Sequence, residues 1–123
     1  MPQKATGEQV TEAGRLRLDV LEAALEEIVD QADYFERKGS PESAIRWNTA
    51  VHEAIQSLRI MPHRGSPGLL LDFQLQGVRH ISVPGFDRYS VFYRAATDAQ
   101  SLTVIAVLHM ARDVLRILGT PRS

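Results

Sequence analysis

Arginine, histidine and tyrosine interrupt the apolar runs of the C-terminal half of the chain, at Arg64, Arg79, Arg88, Tyr93, His109 and Arg112. A guanidinium binds carboxylate or phosphate through a fork of N–H donors, an imidazole moves protons near neutral pH, and a phenol donates or accepts. The set suits two kinds of work: contact with an acidic or phosphate-bearing partner, or charge stabilisation and proton transfer at a phosphodiester. Lysine is nearly missing from it. The two lysines are Lys4 near the start and Lys38 at the end of a predicted helix, so no predicted strand carries a lysine for assisted proton transfer. This favours binding over cleavage.

Other chemistries find no support. His52, His63, His80 and His109 lack a short ligand spacing, and there is no cysteine to complete a metal site, so neither metal nor cofactor is expected. No Gly-rich phosphate loop is present, and no nucleophile elbow surrounds Ser66 or Ser90.

Each candidate also has a plainer use. Arg79 and Arg88 flank Pro84-Gly85 and read either as solvated strand-end charges or as target contacts. Arg64 falls in a loop, where an exposed arginine is ordinary. His109 follows an apolar run and reads as a core histidine with a satisfied ring nitrogen or as an acid or base. Arg112-Asp113 reads as a helical cap, as a local ion pair or as a functional arginine. Tyr93 reads as a packed strand aromatic with its hydroxyl at the rim.

At 123 residues the chain supports one domain that buries roughly two thirds of its unfolded surface. The absence of cysteine suits a reducing cytoplasm. Residues 1–14 are small and polar without an apolar leader, and no run approaches the ~20 apolar residues of a membrane helix. The expectation is a cytoplasmic protein with no membrane contact, a flexible extension over 1–14 and one domain over 15–118. The formal net charge of -1 conceals an asymmetry: residues 20–58 carry eight acids against three bases, and residues 59–123 eight bases against four acids. One face is thereby suited to an acidic partner and another is not.

Periodicity supplies the elements that must position these side chains. Leu16 and Leu18 alternate with charged residues, as in a short edge strand. Leu21, Leu25, Ile28, Ala32 and Phe35 recur at helical spacing, and Gly39 is expected to end that helix in the left-handed conformation. Ser40-Pro41 caps and opens a second helix, with Ala44, Trp47, Val51, Ala54, Ile55 and Leu58 on one stripe. So short a connection makes the two helices an antiparallel hairpin. After the Pro67-Gly68 turn come a short strand or irregular stretch at 69–73, strands at 78–83, 89–94 and 102–108, turns at 84–87 and 97–100, and a helical turn over 112–118. The last strand is apolar at almost every position and is expected at the sheet centre. The predicted fold is α+β: an N-terminal strand and a helical hairpin packed on a small curved antiparallel sheet.

The phrases P-H-R-G at 62–65, G-V-R at 77–79, V-F-Y-R at 91–94 and V-L-H-M-A-R-D at 107–113, in this order, resemble the RelE/ParE toxin superfamily, and its ParE branch most. The resemblance implies the same α+β fold and the toxin half of a type II toxin–antitoxin pair. A ParE-like protein binds and poisons DNA gyrase and is held by a ParD-like antitoxin, without sequence-specific DNA binding of its own. The alternative is a RelE-like ribosome-dependent messenger RNA endonuclease, for which a pI near 6.4 is low given the phosphates of the ribosome. On this resemblance Arg64, Arg79, Arg88, Tyr93, His109 and Arg112 are candidate target contacts. Leu16, Trp47, Val51 and Ile55 are candidates for contact with the folding antitoxin segment, with Trp47 alternatively in the core.

Overall fold

A computed structural model describes residues 15–67, 77–98 and 100–113. The elements in chain order are β1 (Arg17–Val20), α1 (Glu22–Lys38), α2 (Pro41–Ile60), β2 (Ser66–Pro67), β3 (Arg79–Val83), β4 (Phe86–Ala95) and β5 (Ser101–His109). The extension at 1–14, the stretch at 69–73 and the helical turn beyond 113 fall outside the described residues.

Ser40 caps α2 as its sequence requires: its side chain accepts the Ser43 N–H at 3.2 Å, and Pro41 occupies the first turn, where a missing N–H costs nothing. Gly39 corrects the expectation. It sits at φ -117°, outside the left-handed region, and what requires glycine is space, since a Cβ there would lie 2.9 Å from both the Phe35 carbonyl oxygen and Ser43 Oγ.

The strands form one sheet in the order β1-β5-β4-β3-β2. The expected antiparallel arrangement holds from β2 to β5, while β1 joins in parallel beside β5 and makes the sheet mixed. Local pattern encodes a strand but not its sense. The turn into β4 is also tighter than expected: Val83 pairs with Phe86, leaving Pro84-Gly85 as the loop, with Gly85 at φ +81° in the position where a type II turn needs a positive φ.

β5 lies inside the sheet between β1 and β4, one place from the centre that β4 occupies, and is covered on both faces. Leu102, Val104 and Val107 pack with the helices, whereas Ile105, Ala106 and Leu108 join Val78 and Phe92 in a second cluster. A register shift makes this possible. Phe92 pairs with Ala106 and Tyr93 with Val104, so Ile105 is an extra residue that resets the alternation and sends Val107 to the helix side.

The helix-side core is built around Trp47, which is fully buried among Phe35, Phe86 and Tyr89 at ring-centroid distances of 5.1–5.5 Å. Its indole N–H donates to the Ile28 carbonyl at 3.0 Å, so burial leaves no donor unpaired. Trp47, Val51 and Ile55 are 0%, 2% and 6% exposed and offer no side-chain surface to an antitoxin. They are corrected here to core residues: the stripe that reads as a docking face is the one α2 spends on its own sheet. Leu16 is half-buried, and both its backbone groups are engaged by Arg59: the Leu16 N–H donates to the Arg59 carbonyl at 2.9 Å, and Arg59 Nε donates to the Leu16 carbonyl at 2.8 Å. Leu16 itself thus offers no free backbone group, while β1, which follows it, is an edge strand of the sheet as expected.

Candidate functional site

The candidate target residues separate into two groups at opposite ends of β4. Tyr93 and Tyr89 mark the two places, four residues or ~13 Å apart along the strand.

At the Tyr93 end, the 62–65 loop carries the chain from α2 into β2. Tyr93 is fully buried, and its hydroxyl donates to the Pro62 carbonyl at 2.7 Å and accepts the Gly65 N–H at 3.0 Å. Arg79 Nη1 donates to the Gly65 carbonyl at 2.7 Å. Two strand side chains thus satisfy three backbone groups of one loop. Gly65 is buried, and a Cβ there would lie 2.5 Å from the Tyr93 hydroxyl and 2.9 Å from the His80 carbonyl, so the clamp closes only over glycine. Burial raises the Tyr93 phenol above its ordinary pKa, opposed by the Gly65 hydrogen bond and by the charges of Arg79 and Arg64, which keeps it neutral at physiological pH. Tyr93 is therefore no surface contact, and its hydroxyl lies inside and not at the rim.

What the loop displays is His63 and Arg64, both exposed. Arg64 Nη1 donates to Ser57 Oγ at 2.8 Å, and that hydroxyl donates to the Ala54 carbonyl at 2.7 Å. The guanidinium is steadied by one nitrogen against the last turns of α2.

At the Tyr89 end, β5 runs into a turn closed by the Asp113 N–H donating to the His109 carbonyl at 2.9 Å. The His109 ring lies edge-on to Tyr89 at 5.1 Å, and its Nδ1 accepts the Arg112 N–H at 3.0 Å, which assigns the ring proton to Nε2. Asp113, 7% exposed, holds Arg112 through two bonds of 2.9 and 3.0 Å and accepts the His109 N–H at 3.2 Å. The Asp113 hydrogen bond raises the Arg112 pKa further, so its charge is permanent; burial raises that of Tyr89, with the Arg112 charge and hydrogen bond acting against it. Arg112 nevertheless keeps 53% of its side chain in solvent. Arg88 is exposed nearby, its carbonyl accepting the Met110 N–H at 2.7 Å.

Asp113, Tyr89, Gly65 and Ser57 were not among the sequence candidates, yet they set where the candidates point. Asp113 had a visible signal, its place beside Arg112. Tyr89 had one too, since it shares the inward face of β4 with Tyr93 by the strand period.

His80 is separate from both groups. It sits on β3, its ring tilted over Phe92 at 5.2 Å, with Nε2 buried and lacking a hydrogen-bond partner among the described residues. Desolvation lowers its pKa, so it is neutral in the fold.

Neither group aims an unoccupied base at an exposed guanidinium. The Tyr93 hydroxyl is used twice within the fold, and the acceptor nitrogen of His109 already holds a backbone N–H. Among the described residues no group of histidines and acids could hold a metal ion, and no helix is long and apolar enough to cross a membrane. The arrangement presents fixed positive charge.

Comparison with known proteins agrees with this architecture. The sequence pattern of the ParE toxin of type II toxin–antitoxin systems, parDE, matches residues 18–114. Among solved structures, the chromosomal ParDE system of P. aeruginosa superposes with a TM-score of 0.63 at 14% identity, covering 79% of this chain and 98% of that one. The RelBE2 toxin–antitoxin complex of Mycobacterium tuberculosis gives 0.53 at 16% identity, covering 77% and 98%. A YoeB/ParE toxin from Agrobacterium tumefaciens gives 0.51 at 16% identity, covering 76% and 98%. At such identities these structures speak for the fold. No curated protein matches the chain in sequence.

Proposed function

The chain belongs to the ParE toxin family of type II toxin–antitoxin systems, and from that membership we propose that it arrests DNA gyrase by binding it and is neutralised by a ParD-like antitoxin. The observation that carries the binding mode is the occupation of the proton-transfer candidates: the Tyr93 hydroxyl and His109 Nδ1 are spent on backbone groups, and His109, paired on β5 with Tyr89, lies four β4 residues or ~13 Å along the sheet from Tyr93, while Arg64, Arg88 and Arg112 stand exposed. General acid–base cleavage of RNA needs a donor and an acceptor converging on one phosphate. Charge presentation needs only fixed guanidinium groups, and arginine supplies them without titrating.

With Trp47, Val51 and Ile55 inside, the antitoxin segment finds its apolar footing elsewhere. Leu25 and Val29 lie one turn apart on α1 and are 49% and 56% exposed, among the acids Glu22, Glu26 and Asp30. An amphipathic segment with basic flanks, ordering as it binds, matches that surface.

Purified protein added to gyrase should halt supercoiling with cleaved DNA accumulating, and the cognate antitoxin should restore turnover. Undiminished supercoiling at saturating protein would count against the reading.

A further inference from the structure

We propose that Tyr93 is a positioning residue whose hydroxyl fixes the 62–65 loop so that Arg64 is delivered to the target in one orientation. This rests on the binding reading above and adds a device to it. A helix-to-strand connection at the surface needs no buried anchor, since its backbone can hydrogen-bond to water. Here the connection is over-determined. Pro62 and Gly65 are bridged by one hydroxyl, the Gly65 carbonyl is held by Arg79, the Arg64 N–H donates to the Met61 carbonyl at 3.2 Å, and the Arg64 guanidinium rests on Ser57.

The residues so fixed are the two exposed ones, His63 and Arg64, whereas the side chains that hold the Pro62 and Gly65 backbone, buried Tyr93 and half-buried Arg79, come from β4 and β3, 14 to 31 positions later in the chain. An arginine on a loop with free torsions loses that freedom when it pairs with a carboxylate or phosphate. One held in advance does not, and its pairing is correspondingly tighter. The partner chemistry is an anionic group met by the exposed end of a guanidinium.

The test is a double-mutant cycle on the full-length protein with Tyr93→Phe, Arg64→Ala and the pair. Tyr93→Phe keeps the buried ring and deletes only the hydroxyl. Inhibition of gyrase and growth arrest on induction are read in parallel, the second reporting toxicity whatever the target. Each single variant should lose about tenfold in potency, the scale of one to two hydrogen bonds, and the double variant should lose no more than the worse single. Hydrogen exchange at the Gly65 amide should quicken in Tyr93→Phe, while capture by the antitoxin stays unchanged. Losses that multiply in the double variant, or wild-type potency in Tyr93→Phe, would overturn the proposal. If Tyr93→Phe does not fold, Arg79→Gln releases the Gly65 carbonyl from the other side and takes its place in the cycle. Failure of wild-type protein to act on gyrase, with the cycle intact in growth arrest, would remove the gyrase reading and leave the positioning role standing.

Discussion

The two ends of β4 hold their arginines by opposite means. At the Tyr93 end, a buried neutral hydroxyl and the half-buried Arg79 guanidinium pin a loop across sequence separations of 14 to 31 residues, and Arg64 is placed because its backbone is placed. At the Tyr89 end, Arg112 is held chiefly by its own neighbour, Asp113, and by contacts within four residues, with a further hydrogen bond to Tyr89 on β4. The first arrangement forms only when the sheet has formed, whereas the bonds that hold the second are mostly local. A charge can be aimed by tertiary packing or by a short turn, and the two should respond differently to mutation.

Gly65→Ala should show the largest effect, because the new Cβ meets the Tyr93 hydroxyl at 2.5 Å and one of them must move. A loss of about 2–3 kcal/mol in denaturant unfolding is expected, as for overpacking at a well-filled site. A loss below about 0.5 kcal/mol would mean that the clamp yields easily. Asp113→Ala comes next. It removes the acceptor of the His109 N–H and both bonds to Arg112, but Arg112 is half in solvent, so the expected cost is about 1–2 kcal/mol. Urea unfolding at low and high salt should show part of this loss screened, and no comparable salt dependence for Gly65→Ala.

Arg64→Ala should change stability by less than about 0.5 kcal/mol while weakening target inhibition; equal losses of both would make Arg64 a structural residue only. Leu25→Glu should leave unfolding unchanged within the same margin of about 0.5 kcal/mol and reduce antitoxin capture, measured by calorimetric titration.

His80 sharpens the contrast through pH. Its folded pKa is depressed, so the unfolded chain binds the proton more readily. The contribution of its neutral form is fully present above the ordinary value of 6.5 and is lost as pH falls through the lower folded value. Stability should therefore decline below about pH 6.5, and His80→Gln should flatten that decline in thermal unfolding curves.

The sequence reading succeeds where the determinant is local. The Ser40-Pro41 cap, the helical stripe, the apolar run of β5 and the Pro84-Gly85 turn are decided by spacing within a few residues, and so is the Arg112-Asp113 pair. It fails where a distant partner decides. The parallel sense of β1, the reset of alternation at Ile105, the steric demand at Gly39 and the buried position of the Tyr93 hydroxyl each depend on an atom brought in by the rest of the fold. Trp47, Val51 and Ile55 show the same limit: an apolar stripe states that a surface will be covered, and does not state by what.

The account turns on presentation of charge without bond-breaking, and primer extension on a translated message at saturating toxin tests this most directly. No new codon-positioned ends should appear, while gyrase in the same preparation stops supercoiling. New ends at ribosome-occupied codons, with gyrase unaffected, would contradict it.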